Sequence, residues 1–64
     1  MNRFFVLYDE VRIKATNETG VIVEIDTDRG RKPPIFFVEK DDKYKTGFFP
    51  DDCIWCDWDE IEFL

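Results

Sequence analysis

Two neighbouring stretches of the chain alternate apolar and polar side chains with a period of two. In residues 11–16, Val11, Ile13 and Ala15 interleave with Arg12, Lys14 and Thr16, the pattern of a half-buried strand. In residues 21–27, Val21, Val23 and Ile25 interleave with Ile22, Glu24 and Asp26, and every apolar position is β-branched. Between them lies Asn17-Glu18-Thr19-Gly20. Asparagine tolerates left-handed backbone, and Gly20 is expected to take a positive φ at no steric cost. Together these segments predict a β-hairpin.

The remaining pattern is shorter and more broken. Residues 4–8 form an apolar run, expected as a short strand or an arm laid against a sheet edge. Gly30, Pro33 and Pro34 break any ladder and predict a loop over residues 28–34. Residues 35–40 predict a third strand, and residues 41–47 a turn. Phe48 and Phe49 are a candidate start for a fourth, which Pro50 would confine to an edge or a bulge. Cys53-Ile54-Trp55-Cys56 is the next strand candidate. Asp57 is placed to cap a single helical turn over residues 58–61, and residues 62–64 close as a last short strand. The expected fold is therefore all-β: a small barrel of about five short antiparallel strands with one helical turn near the C-terminus. A barrel is favoured because closure removes exposed edges.

Length and composition tighten this picture. A chain of 64 residues makes one domain near the lower limit for folding alone. Its seven phenylalanines, two tyrosines and two tryptophans are expected to be spent on the core, which leaves little room for a deep pocket. Nine acids balance nine bases over residues 1–50, so the net charge of −6 resides in residues 51–64, which hold no base. Such a segment repels phosphate backbones, suits basic partners and keeps an aromatic-rich chain in solution. The apolar run at residues 4–8 is too short for a signal-peptide core or a membrane span. No tag or linker is recognisable, so a complete short reading frame is expected. With two cysteines instead of a dense framework, the expected compartment is the cytoplasm.

The layout of a basic-apolar strand, Gly20, the run Val21-Ile22-Val23-Glu24-Ile25, then residues 35–40 and the C-terminal residues 53–63, resembles the SH3-like small barrels of the KOW and Tudor-like type. The resemblance covers about residues 11–63 and implies three ligand classes. KOW-type barrels bind RNA or ribosomal partners, and the matching positions are Arg12, Lys14, Arg29, Arg31 and Lys32. These bases are interleaved with Glu18, Glu24, Asp26 and Asp28 in a chain of pI near 4.4, which argues against phosphate recognition. Tudor-like barrels hold methylated cations in an aromatic cage beside a carboxylate. Tyr44, Phe48, Phe49, Trp55 and Trp58 with Asp51, Asp52 and Asp57 offer those parts, although a core short of apolar area would claim the same rings. Peptide-binding SH3 domains present an aromatic surface flanked by acids. Val6-Leu7-Tyr8-Asp9 resembles their Ala-Leu-Tyr-Asp signature, but no binding residue is carried across from it.

Cys53 and Cys56 form a CxxC pair without a histidine anywhere in the chain. Structural zinc takes four nitrogen or sulfur ligands, so a site within one chain would need two carboxylates, which is unusual, whereas a dimer could share the ion between Cys53 and Cys56 of both copies. In an extended strand the two thiols fall on opposite faces about 10 Å apart, too far for a disulfide. Neighbouring Asp51, Asp52 and Asp57 would raise rather than lower a thiol pKa. Two reduced cysteines serving as small apolar side chains is the expected reading.

The chain also lacks serine, and its three glycines are scattered. Common nucleophile–base pairs and a phosphate-cradling loop are therefore missing from the sequence. The expectation is a non-catalytic interaction module needing no metal or cofactor and engaging no membrane. Its partner is expected to be another protein, with a basic segment suited to the acidic end. The candidate binding residues are Tyr44, Phe49, Asp51, Asp52, Trp55, Trp58 and Asp59. Two alternatives stand beside it: a nucleic-acid or ribosome-associated KOW-like accessory, and a structural subunit that forms a homodimer through strand edges.

Overall fold

Five antiparallel strands make a single sheet: β1 (Glu10–Ile13), β2 (Thr19–Asp26), β3 (Ile35–Lys40), β4 (Cys53–Asp57) and β5 (Ile61–Phe63). The computed structural model describes residues 4–48 and 51–64. The strand order is β4-β3-β2-β1-β5, so the first four strands meander and the last returns to the first. Among the described residues no helix is long and apolar enough to cross a membrane.

The alternation seen in the sequence sorts side chains onto two faces, as the strand period requires. Val11 and Ile13 of β1, Ile22 of β2, Phe36 and Val38 of β3, Cys56 of β4 and Ile61 of β5 point inward and are buried. Phe5 and Ile25 pack against this cluster from its margin. Among the described residues the core is thus mostly aliphatic, and one ring, Phe36, lies fully within it. The expectation that the aromatics fill the core is corrected here: Phe4, Tyr8, Phe48, Trp55 and Trp58 are all exposed. Seven inward positions suffice because each strand contributes only one or two, and a ring on the outer face cannot cross the sheet to join them.

β1 ends at Ile13, short of the expected residue 16, because Lys14, Ala15 and Thr16 turn back. The amides of Thr16 and Asn17 both donate to the Ile13 carbonyl, at 3.3 and 2.8 Å. Asn17 takes the expected left-handed backbone, φ 62°. Gly20 does not: it lies inside β2, opposite Val11 of β1 and Lys40 of β3. Its value is the close approach of β3. A Cβ at this position would stand inside contact distance of the Glu39 carbonyl oxygen and 2.9 Å from Val38 Cγ1.

Further along β2 the register with β3 slips between Ile22 and Glu24. Such a bulge bends a strand and increases its twist. The bend is needed, because β4 and β5 lie at opposite ends of the strand order yet are joined only by Trp58, Asp59 and Glu60. Four residue steps reach at most about 14 Å. Five flat strands would hold their outer members about 19 Å apart. The sheet must curl to make the connection. Curling stops short of the expected barrel, since no ladder joins β4 to β5 among the described residues.

The expected helical turn over residues 58–61 is instead a tight reversal. The Glu60 amide donates to the Asp57 carbonyl at 3.0 Å, and the Asp57 amide donates to Glu60 Oε1 at 2.8 Å. Asp57 belongs to β4, and Ile61 must pair with Ile13 of β1, so too few residues remain for a helix. Among the described residues the one helical turn is a 3-10 turn at Asp42–Tyr44. Phe48 is not in a strand, and the other half of that expectation, Phe49, lies outside the described residues.

The N-terminal arm passes over the sheet rather than adding a strand. Phe5 stacks on Phe63 of β5 with centroids 4.3 Å apart and meets Phe36 edge-on at 5.4 Å. Tyr8 adopts φ 71°, unusual for a bulky residue. Its amide donates to the Ile22 carbonyl at 2.7 Å, which holds that backbone in place. For Gly20→Ala the clash with β3 backbone predicts a loss of about 1–3 kcal/mol in denaturant unfolding. An unchanged midpoint would contradict the close approach.

Candidate functional site

On the outer face of β3 and β4, Phe37 lies directly opposite Trp55. The Lys40 amide donates to the Asp52 carbonyl at 2.9 Å. That bond sets the alternation of the ladder. Ile54 and Cys56 occupy the hydrogen-bonded positions facing β3, and Cys53, Trp55 and Asp57 the others. Side chains of non-hydrogen-bonded pairs approach most closely. Accordingly the Phe37 and Trp55 rings stack at 4.6 Å with their planes 28° apart. Trp55 remains 42% exposed in that stack.

Charged pairs frame the rings at both ends. Arg29 Nη1 lies 3.7 Å from Asp57 Oδ1 at one end, and Lys45 Nζ lies 3.7 Å from Glu39 Oε1 at the other. Both pairs are partly exposed, so they orient side chains and add little stability. Two positions that the KOW resemblance picks out, Arg12 and Arg29, are both paired with acids of the C-terminal segment; Arg12 Nη1 lies 3.3 Å from Glu62 Oε1.

The other candidate residues take separate places. Asp52 has a structural task at the entrance to β4. Its carboxylate accepts from the Thr46 amide at 2.7 Å, the Thr46 hydroxyl at 3.0 Å and the Gly47 amide at 3.2 Å. The Thr46 amide above all, then the hydroxyl, the Gly47 amide and the Lys45 charge, hold its carboxyl below the usual range. Asp51 is exposed beside it. Tyr44 closes the 3-10 turn, with Lys43 Nζ 5.1 Å from its ring centroid. Trp58 and Asp59 sit in the β4–β5 reversal, where Trp58 is 59% exposed. Phe49 lies outside the described residues. Among the described residues no ring contact joins Tyr44, Phe48, Trp55 and Trp58, and the ring partner of Trp55 is Phe37, which sequence reasoning did not single out.

Oxygens of Asp57, Asp59 and Glu60 converge to within 4.8 Å on the β4–β5 reversal. Asp57 faces Arg29, and Glu60 accepts from the Asp57 amide, so two of the three carboxylates are already engaged within the chain.

The cysteines divide as an extended strand dictates. Cys56 is buried in the core, whereas Cys53 is on the opposite face and partly exposed. Burial first, then the charges of Glu60 and Asp57, push the Cys56 thiol up to about 11. Burial, Glu39 and Asp52 also raise Cys53. One chain therefore cannot turn both thiols toward a single ion while β4 stays extended.

A cleft of about 410 Å³ opens on the inner side of β4. Ile54 and Cys56 form one wall and Ile13 to Thr16 the other, with Glu60 at one end. This is the gap that a closed barrel would have filled. Comparisons with protein-family models, curated proteins and solved structures give no match to this chain.

Two outcomes follow from these environments. At pH 8 an alkylating reagent modifies Cys53 well before Cys56, whose reaction waits on opening of the sheet; equal rates by mass spectrometry would show that β4 is not seated as described. The Asp52 carboxyl is held low, so its contribution is complete above the ordinary carboxylate pKa of about 3.9 and fades as pH falls through the lower native value. Amide shifts of Thr46 and Gly47 should move together in that acid range. In Asp52→Asn they should stay flat with pH.

Proposed function

We propose that this chain is a small, non-catalytic, SH3-like interaction module that binds another protein through the outer face of β3 and β4 and its acidic ends. The observation that carries this reading is the Phe37–Trp55 stack. It is a half-exposed aromatic pair that the core does not require, set between charged pairs on a rigid sheet. Aromatic side chains with an acidic surround suit a partner that offers apolar and basic groups. The return of β5 to β1 in a curled sheet supports the SH3-like comparison, because that order is what a five-stranded, partly open barrel needs.

A non-catalytic role is supported by the chemistry at hand. Histidine and serine are missing from the sequence, and both thiols are held in their protonated form rather than activated. Two free cysteines suit a reducing compartment, which supports a cytoplasmic location. Pairing of Arg12 and Arg29 with acids leaves fewer bases free for phosphate and favours a protein partner over nucleic acid.

The test is retention of nuclease-treated lysate proteins on immobilised wild type and on Trp55→Ser, with Phe4→Ser as an exposed-ring control. Loss of at least tenfold in retention for Trp55→Ser, with an unchanged far-ultraviolet spectrum and a silent control, is the expected result. Retention that disappears with nuclease, or that ignores Trp55, would overturn the reading.

A further inference from the structure

Among the described residues no strand pairs with the outer edge of β4, and its charge pattern selects what can pair with it. Ile54 and Cys56 spend their backbone groups on β3, so the amides and carbonyls of Cys53 and Trp55 point away from the sheet. At Asp57 the outward groups are already used by the Glu60 reversal. Two consecutive outward positions thus present two donors and two acceptors in the spacing of an antiparallel ladder. Beside them runs the cleft walled by Ile54, Cys56 and Ile13 to Thr16. The opposite edge differs: β5 is only three residues long, and Phe5 stacks over its Phe63.

Natural sheets blunt such edges with prolines, bulges or charges. Residues 53–56 contain none of these. The charges lie at the two ends instead, Asp51 and Asp52 before the strand and Asp57, Asp59 and Glu60 after it. A second copy of β4 laid antiparallel about Trp55 would bring the acids of one end against those of the other, twice over. The edge is guarded against its own kind. A strand with basic ends meets the reverse situation, since both of its ends would face carboxylates. Within the cleft lining itself, Lys14 is matched by Glu60, one base to one acid.

We propose that β4 accepts an added antiparallel strand from a partner protein, an extended segment with a β-branched or apolar centre and Lys or Arg at both ends. Main-chain hydrogen bonds to Cys53 and Trp55 supply the docking, while Trp55 and the acidic ends select the sequence. This deepens the interaction-module reading and rests on it. It also assigns the open gap of the curled sheet as the place where the partner completes the fold.

The test uses three synthetic nine-residue peptides against the full chain, followed by tryptophan fluorescence and calorimetry. One alternates valine and threonine between paired lysines. The second is the same peptide N-methylated at the alternate amides that would face β4. The third carries glutamates in place of the lysines. The lysine-ended peptide should bind, with N-methylation or the charge reversal each weakening it at least tenfold. Equal binding of the methylated peptide that is lost in Trp55→Ser would overturn strand addition while leaving the outer-face reading intact. Failure of the lysine-ended peptide to bind at millimolar concentration, or a dimer in sedimentation that the peptide does not dissociate, would overturn it as well. Loss of Trp55-dependent retention from lysate, by contrast, would remove the interaction-module reading itself.

Discussion

A connection of three residues governs this structure. Trp58, Asp59 and Glu60 join two strands that stand at opposite ends of the sheet order. So short a link forces the sheet to curl, and the slip in register at Ile22 and Glu24 gives β2 the bend to do so. The return of β5 brings Ile61 beside Ile13 and seals the core from that side. Nothing equivalent happens at β4. The same tether that closes one side of the sheet leaves the other as an open edge above an apolar cleft.

The core that results is small and nearly all aliphatic, which changes the meaning of the aromatic residues. Rings that a short chain would be expected to bury are distributed over its surfaces instead. Phe5 and Phe63 seal the core near the N-terminal arm, while Phe37 and Trp55 lie on the outer face of β3 and β4. Stacking of the second pair is worth about 0.5–1.5 kcal/mol beyond area burial. Trp55 nevertheless stays 42% exposed, so much of its ring remains available to a partner. An aromatic surface, an unpaired strand edge and most of the chain's excess negative charge coincide on one strand and its flanks.

Much of the fold was legible because strand alternation is a local signal. The hairpin of β1 and β2, the third strand and the strand at Cys53 follow from side chains two apart. The opposite facing of Cys53 and Cys56 follows from the same period. What the pattern could not carry was anything fixed by a distant partner. Gly20 reads as a turn residue until the Glu39 carbonyl is known to approach it. Trp55 was a visible candidate, but its stack with Phe37 depends on a register set eighteen positions apart in sequence. Asp52 was visible as a candidate binding residue, but its hold on the loop at Thr46 and Gly47 was not. The short reach of the β4–β5 link replaced the expected helical turn, and composition could not say which rings would stay outside so small a core.

The central claim is that β4 is bonded on one side only. Amide hydrogen exchange of the free monomer, read residue by residue by NMR, tests this most directly. The account predicts an alternating pattern along the strand, with the Ile54 and Cys56 amides protected and those of Cys53 and Trp55 exchanging as exposed amides do. Protection of the Trp55 amide equal to that of Ile54 would mean that the edge is already covered, and would contradict the account.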